Sequence, residues 1–372
     1  MTTKATELLA SNEKMVKEFG ASEFSTLREV PDFRTFRNNL FYSHRDFDVF
    51  YSRLLRGDRS AIVSGLNPSG RLHIGHKVVF DTCLFFQQKY KVPVYIPLSD
   101  DESYVSEKVE KRTDALAHAI TLTKGLIAYG FDPDMTKIIL DFNYPEIFNI
   151  AINLSRKLNF SKVKGVYGYS DSTNVGLAFY PAVQAAHVLF PEIVYGIDNT
   201  LVPIGPDEDA HLRLGRSIAT EMGYAKPAIV HARFMPDLSL DKMSKSRPDG
   251  VIYLDDSAAS IKKKVQKAFS GGQGSVEEHR RLGGNPETDV AIIYLTSYFL
   301  APDDGDKLRQ EYRSGKLLSG DVKKMLIESL TAFTSDFNRR FSKVDESAFS
   351  RILMPRGTHE VDPILLEMFR KS

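Results

Sequence analysis

Between residues 58 and 257, short apolar runs closed by turn residues alternate with longer stretches of helical period. Ala61-Ile62-Val63 stops at Ser64-Gly65 and reads as a buried strand ending in a turn. After Pro68-Ser69-Gly70, the apolar positions Leu72, Val79, Phe80, Leu84 and Phe85 follow a helical pattern. Val92 to Ile96, closing at Leu98 before Ser99-Asp100-Asp101-Glu102, predicts a second strand. A helix is expected over 111–129, with further strands at 137–140, 192–195, 200–204 and 228–231. This alternation predicts a doubly wound parallel α/β domain over 58–257. Beyond it the pattern is almost wholly helical, which predicts an α-helical domain at 258–372. Residues 1–57 mix charges with aromatics and predict an extension of two or three helices.

Composition narrows the class. With 372 residues, the chain is long enough for two or three domains with a substantial core. The 49 Lys and Arg nearly cancel the 48 Asp and Glu, for a formal charge of +1. A nucleic-acid partner would therefore meet local basic patches rather than a basic bulk. A single cysteine, Cys83, excludes a disulfide framework and argues against cysteine-based zinc. The first twenty residues lack the apolar core of a signal peptide, and no run approaches 18 apolar residues. A soluble, cytoplasmic protein with no membrane span is expected.

Two stretches carry candidate chemistry. Leu72-His73-Ile74-Gly75-His76 follows the turn after the first predicted strand. Ligands bind beyond strand carboxyl ends in doubly wound sheets, and a helix start offers unpaired N–H groups to phosphate. No Gly-Lys-Ser/Thr follows Ser64–Pro68, so the turn is not a Walker loop, nor does it match the dinucleotide fingerprint. His73 and His76 are expected in the first helical turns, aimed at phosphate, with Gly75 leaving room for a base or ribose. A metal pair would need a third ligand, and His118, His187, His211 and His231 are scattered. A histidine bonded within the core fits the tetrapeptide equally well.

The second stretch, Lys242-Met243-Ser244-Lys245-Ser246, lies in a polar loop after the last predicted strand. Its lysines bracket small hydroxyl residues and suit a cationic clamp on charge that builds as pyrophosphate leaves. Alone it is equally a solvated basic loop. HIGH at 73–76 and KMSKS at 242–246, in this order on a doubly wound pattern, resemble the paired signatures of class I aminoacyl-tRNA synthetases. Asp100-Asp101-Glu102, FYPAVQAAH (179–187), KAFSGG (267–272), EEHRRLGGN (277–285) and DVAIIYLTSYFL (289–300) narrow the match. They resemble the tryptophanyl-tRNA synthetases of archaeal and eukaryotic type, over about residues 60–357.

The resemblance implies a Rossmann-like catalytic domain at 58–257 and a helical anticodon-binding domain at 258–372. It implies activation of L-tryptophan by ATP to tryptophanyl-adenylate and pyrophosphate, then transfer to the 3′ end of tRNA(Trp). His73, His76, Lys242 and Lys245 take the catalytic roles by this likeness. Pro68, Ser69, Gly75, Gly205, Asp207, Met243, Ser244 and Ser246 complete the ATP site. Glu102 and Gln184 match residues that hold the amino group, and Glu208 stands where relatives often have Gln. A carboxylate and an amide oxygen suit an ammonium group, although Glu102 would also fit a helix start and Gln184 a bonded core amide.

The likeness breaks at Val63 and Pro97, where close tryptophanyl relatives carry the Tyr and Gln that bond the indole N–H. Tyrosyl enzymes do not match either, since they carry Tyr at the position of Val63 and Asp at that of His187. His187, one turn after Gln184, is therefore the expected acceptor of the indole N–H, with a bond to nearby backbone as its structural alternative. Magnesium is expected to arrive with the nucleotide. Residues 141–200 are too few for an editing domain. Basic pairs at Lys262–Lys264, Arg280-Arg281, Lys323-Lys324 and Arg339-Arg340 offer tRNA phosphate contacts, and the resemblance implies a homodimer. The competing readings are a tyrosyl-tRNA synthetase, a HIGH-type nucleotidyltransferase acting without tRNA, and a binding paralogue without catalysis.

Overall fold

The computed structural model describes Val16 and residues 18–241, 243, 248–356 and 363–372. Lys242, Ser244, Lys245 and Ser246, four positions of the second signature, lie outside the described residues. The described chain forms two compact units.

One unit comprises His44–Gly70, Thr82–His231 and Lys343–Ser372. Its frame is five parallel strands: β1 (Ser60–Val63), β2 (Val94–Leu98), β3 (Thr136–Leu140), β4 (Asn199–Ile204) and β5 (Ala228–Ala232). Their spatial order is β5-β4-β1-β2-β3. All residues of β1, β2 and β5 are buried, as a parallel sheet covered on both faces requires. The chain runs outward from β1 to β2 and β3, then returns to β4 on the other side. Strand order thus reverses between β1 and β4, and the crevice beyond their carboxyl ends is the natural ligand site of such a sheet.

Helices α1 (Lys77–Tyr90), α2 (Asp100–Val105), α3 (Arg112–Tyr129), α4 (Glu146–Ser155), α5 (Phe160–Tyr167), α6 (Val175–Tyr195) and α7 (Asp209–Met222) fill the connections. α6 packs Ala182, Val183, Ala186, Leu189 and Phe190 into the core formed with β1, β4, α4 and α7. The strand expected at 192–195 is the last turn of α6. Gly196, at φ 64°, ends that helix by donating to the carbonyls of Glu192 and Pro191. By length and composition α6 is also apolar enough to cross a membrane, contrary to the expectation from residue runs. Here it is a core helix, carrying buried His187 within its apolar surface.

The other unit comprises the described residues up to Ser43, with Arg71–Asp81 and Ala232–Ser342. Helices at Ala258–Gln266, Val276–Leu282, Val290–Tyr294, Pro302–Arg313 and Ser319–Phe341 dominate it, as the helical pattern beyond 257 predicts. Ser257, Ser275 and Asp289 cap three of them by accepting backbone N–H bonds. The expected domain boundaries do not coincide with the units. Arg71–Asp81 groups with this one because Ile74 N donates to Ile252 O (2.9 Å) and Leu254 N to Leu72 O (2.9 Å). Residues 343–372 join the sheet instead, where Met354 N donates to Ile138 O at 2.8 Å. The expected helical extension over 1–57 is also corrected. Its described part holds the strand Phe41–Arg45 between the helices Arg34–Arg37 and Phe47–Leu55. Burial of Phe41 to His44 hides that strand from an apolar-run reading, because Ser43 and His44 are polar.

Candidate functional site

Beyond the carboxyl ends of β1, β2 and β4 lies a cavity of about 300 Å³, at the lower end for a small-molecule site. All six residues expected to bind the amino acid line it: Val63, Pro97, Glu102, Gln184, His187 and Glu208. Val63 ends β1, and Pro97 sits near the end of β2. Pro97 has no N–H to donate although pairing continues beyond it, opposite Ile139 on β3 and through the Leu66–Leu98 bridge, so one ladder bond is missing at the cavity wall. Its carbonyl still accepts from Leu66 N at 2.9 Å.

One end of the cavity is polar and hydrogen-bonded throughout. The Tyr167 hydroxyl donates to Gln184 Oε1, and Gln184 Nε2 donates to Glu208 Oε2 at 3.2 Å. His211 Nδ1 lies 3.1 Å from the same Glu208 oxygen, and its ring stacks on Tyr167 at 4.1 Å. Burial alone would raise the Glu208 carboxyl, but His211, Gln184 and Lys108 together hold it below its ordinary value. Glu102 is bonded by Asn67 Nδ2 and by Lys108 Nζ, the latter at 2.8 and 2.9 Å from its two oxygens. Two carboxylates and an amide oxygen at one end of a cavity suit a primary ammonium.

His187, also on the lining, is neutral. His187 Nε2 lies 2.7 Å from Asp141 Oδ1, and both side chains are buried. Burial lowers the His187 pKa to about 4, against the opposing charges of Asp101 and Asp100. The carboxyls behind it move the other way. Burial raises Asp100 to about 7. Asp101 rises to about 9 through burial and the adjoining Asp141. Asp141 itself stands well above its usual value through burial. The partner of His187 is thus a buried side chain, not the backbone bond of the structural alternative.

In the helical unit the HIGH segment forms a one-turn 3-10 helix, Ile74–His76, with His73 as its N-cap. His73 Nδ1 accepts from Gly75 N (3.2 Å). An amide N–H can only donate, so the His73 ring carries its proton on Nε2, the donor form a phosphate oxygen needs. His76 Nδ1 lies 3.1 Å from His73 O as well as from His73 N and can serve as donor or acceptor. A Cβ on Gly75 would sit 2.9 Å from His73 Nδ1 and 3.0 Å from Met243 Sδ. The two signatures therefore meet at Gly75 and Met243. In the sheet unit, Ser69 N donates to Asn67 O at 2.9 Å, closing a tight turn around buried Pro68. A Cβ on Gly205 would lie 2.6 Å from Asp207 Oδ1, so that carboxylate folds back over the end of β4.

The model of the tRNA synthetases class I (W and Y) matches residues 56–335. The chain belongs to that family. As a member of the class I tRNA synthetases it is a ligase, and the doubly wound sheet is its catalytic fold. It is 36% identical over 316 residues to the tryptophan--tRNA ligase of Sulfolobus acidocaldarius, covering 83% of this chain and 81% of that protein. Against the tryptophan--tRNA ligase of Saccharolobus solfataricus it is 38% identical, covering 83% and 82%. The crystal structure of tryptophanyl-tRNA synthetase from Aeropyrum pernix superposes with a TM-score of 0.86 at 27% identity, covering 96% of this chain and 100% of that one. The resemblance to the archaeal and eukaryotic synthetases is borne out.

Sequence reasoning missed several residues of this synthetase's cavity. Lys108, Tyr167 and Tyr169 lie in loops or short helices with no motif around them. Tyr180 sits inside a stretch that the resemblance used, and Asn67 inside the turn Ser64–Pro68, each without a role of its own. His211 stood among the scattered histidines, and its spacing of three from Glu208 was the available signal. The basic pairs are partly engaged within the fold. Lys264 bonds Asp256 at 2.8 Å, Lys323 bonds the carbonyls of Gln266 and Ala268, and Arg280 bonds that of Gly315. Arg339 and Arg340 both pair with Asp336. Lys262, Lys263, Arg280, Arg281, Lys324 and Arg339 are the exposed members.

Proposed function

We propose that the chain activates L-tryptophan with ATP and transfers it to the 3′ end of tRNA(Trp). The observation that carries this reading is the cavity at the strand-order reversal, polar at Glu102, Gln184 and Glu208 and neutral at His187. Likeness to tryptophan--tRNA ligases over most of the chain supports the same amino acid. The ammonium group rests on Glu102 and the amide of Gln184. The carboxyl proton sits on Asp101, so that Asp141 accepts from the Nε2–H of neutral His187 and the ring's Nδ1 accepts the indole N–H. The substrate carboxylate attacks the α-phosphorus of ATP, and pyrophosphate leaves.

His73 donates through Nε2–H to phosphate oxygens with His76 beside it, and Lys242 and Lys245 supply positive charge as the bridging oxygen departs. Pro68, Ser69, Gly75, Gly205, Asp207, Met243, Ser244 and Ser246 belong to the ATP side of the same reading. Magnesium enters on the ATP phosphates. Among the described residues no group of three or more His, Cys, Asp or Glu is placed to hold a metal ion. Residues 258–372 carry the anticodon contacts, with Lys262, Lys263, Arg281 and Lys324 among the exposed cations. The active species in this reading is a cytoplasmic homodimer. ATP–pyrophosphate exchange with each amino acid tests the substrate: tryptophan alone should support it, and exchange with tyrosine alone would overturn the reading in favour of a tyrosyl enzyme.

A further inference from the structure

Lys108 occupies an unusual place. α2 ends at Val105, and the next residues turn sharply through Glu107, a non-glycine residue at φ 59°. Val109 N then donates to Ser103 O at 3.3 Å, which pins the backbone on the far side of the turn. The Lys108 side chain, 47% exposed, reaches back over Glu102, whose side chain is 13% exposed. Its Nζ lies 2.8 and 2.9 Å from the two carboxylate oxygens. Asn67 holds the same carboxylate from the other side, with its own carbonyl oxygen accepting from Ser103 Oγ at 2.9 Å.

An alkylammonium with three N–H donors thus already sits on the carboxylate assigned to the substrate's ammonium. With Lys108 on both oxygens and Asn67 on one, about one of the carboxylate's four acceptor sites is left, and a second ammonium there would be repelled by the first. The substrate is a zwitterion, so its ammonium brings a carboxylate one carbon away. We propose that Lys108 is a built-in placeholder. It covers Glu102 while the cavity is empty, yields to the incoming ammonium, and pairs with the substrate carboxylate. The exchange leaves each charge compensated at both stages, so the cavity need not hold a bare carboxylate between turnovers. Lys108 is accordingly a positioning residue that selects for α-amino acids against simple amines. This inference rests on Glu102 as the ammonium site and on tryptophan as the substrate.

The test uses the full chain, with tryptamine (ammonium without carboxylate) and indole-3-propionate (carboxylate without ammonium) as competitors of tryptophan in ATP–pyrophosphate exchange. Lys108→Ala should tighten tryptamine about threefold, because its internal rival is gone, and weaken indole-3-propionate by about threefold or more. Lys108→Arg keeps the cation and should restore the wild-type order of the two ligands. Both ligands weakening together, or neither changing, would overturn the proposal and leave Lys108 a surface ion pair. Failure of tryptophan itself to support exchange in the wild-type protein would instead count against tryptophan as the substrate.

Discussion

His187 Nε2 is 2.7 Å from Asp141 Oδ1, and neither side chain meets solvent appreciably. The imidazole is neutral at physiological pH because burial lowers its pKa to about 4. With the carboxyl proton on Asp101 and Asp141 accepting from Nε2–H, the neutral ring keeps Nδ1 as its one acceptor for an indole N–H. Replacing His187 with Ala leaves that donor unpaired, at about 1–3 kcal/mol, or roughly a 5- to 150-fold rise in tryptophan KM. The KM for ATP should stay unchanged. An unaltered tryptophan KM would show that the indole N–H is met elsewhere.

Tyr167 is expected to matter through its hydroxyl. That group donates to Gln184 Oε1 and so fixes which way the amide faces Glu208. Tyr167→Phe keeps the ring stacked on His211 and removes only the bond. A loss of about 0.5–1.5 kcal/mol corresponds to a roughly 2- to 13-fold weaker amino-acid affinity. The chain has no tryptophan of its own, so the fluorescence of bound substrate reads this directly.

Asp101 gives a pH signature. Its carboxyl is raised to about 9 by burial and by Asp141, whereas in the unfolded chain it ionises near ~4. Between those values the unfolded chain releases a proton that the folded chain keeps. This group's contribution is therefore full at low pH, falls as pH rises, and levels off above about 9. Asp100 acts in the same sense up to about 7, and His187 in the opposite sense between about 4 and its ordinary value. The window from about pH 7 to 9 thus isolates Asp101 and Asp141. Asp101→Asn cannot ionise and should gain about 1–2 kcal/mol on the wild type across that window. Denaturant melts at both ends of it give the comparison, and a constant difference would show that Asp101 ionises normally.

Gly75 allows the close approach of Met243. Gly75→Ala places a methyl 2.9 Å from His73 Nδ1 and 3.0 Å from Met243 Sδ, so the histidine must rotate or the loop must withdraw. Pyrophosphate exchange should fall by about tenfold or more, with tryptophan affinity in the sheet unit's cavity unchanged. Equal losses in both would show that the substitution acts through folding rather than through the signature.

The strands around the cavity were legible because β1, β2 and β4 are short apolar runs closed by turn residues. The same rule failed at Ile193-Val194-Tyr195, where a β-branched run continues a helix that Pro191 does not break. It failed again at Phe41–Arg45, a buried strand containing Ser43 and His44. In the site, residues fixed by a motif could be named in advance. Lys108 and Tyr167 could not, because their roles come from a turn at Glu107 and from a short helix that only the folded chain brings to Glu102 and Gln184. The carboxyls behind His187 illustrate the same limit. Asp100-Asp101-Glu102 was read through its glutamate, and Asp141 became a partner only across 46 residues.

The bonds that hold the cavity wall are indifferent to the side chains that face the substrate. Ser64 N donates to Tyr95 O at 3.0 Å and Leu66 N to Pro97 O at 2.9 Å, whatever stands at positions 63 and 97. A gene copy could therefore exchange those two side chains, even for proline, and still build the same sheet. Amino-acid readers at this wall can thus be exchanged with little cost to the sheet that carries them.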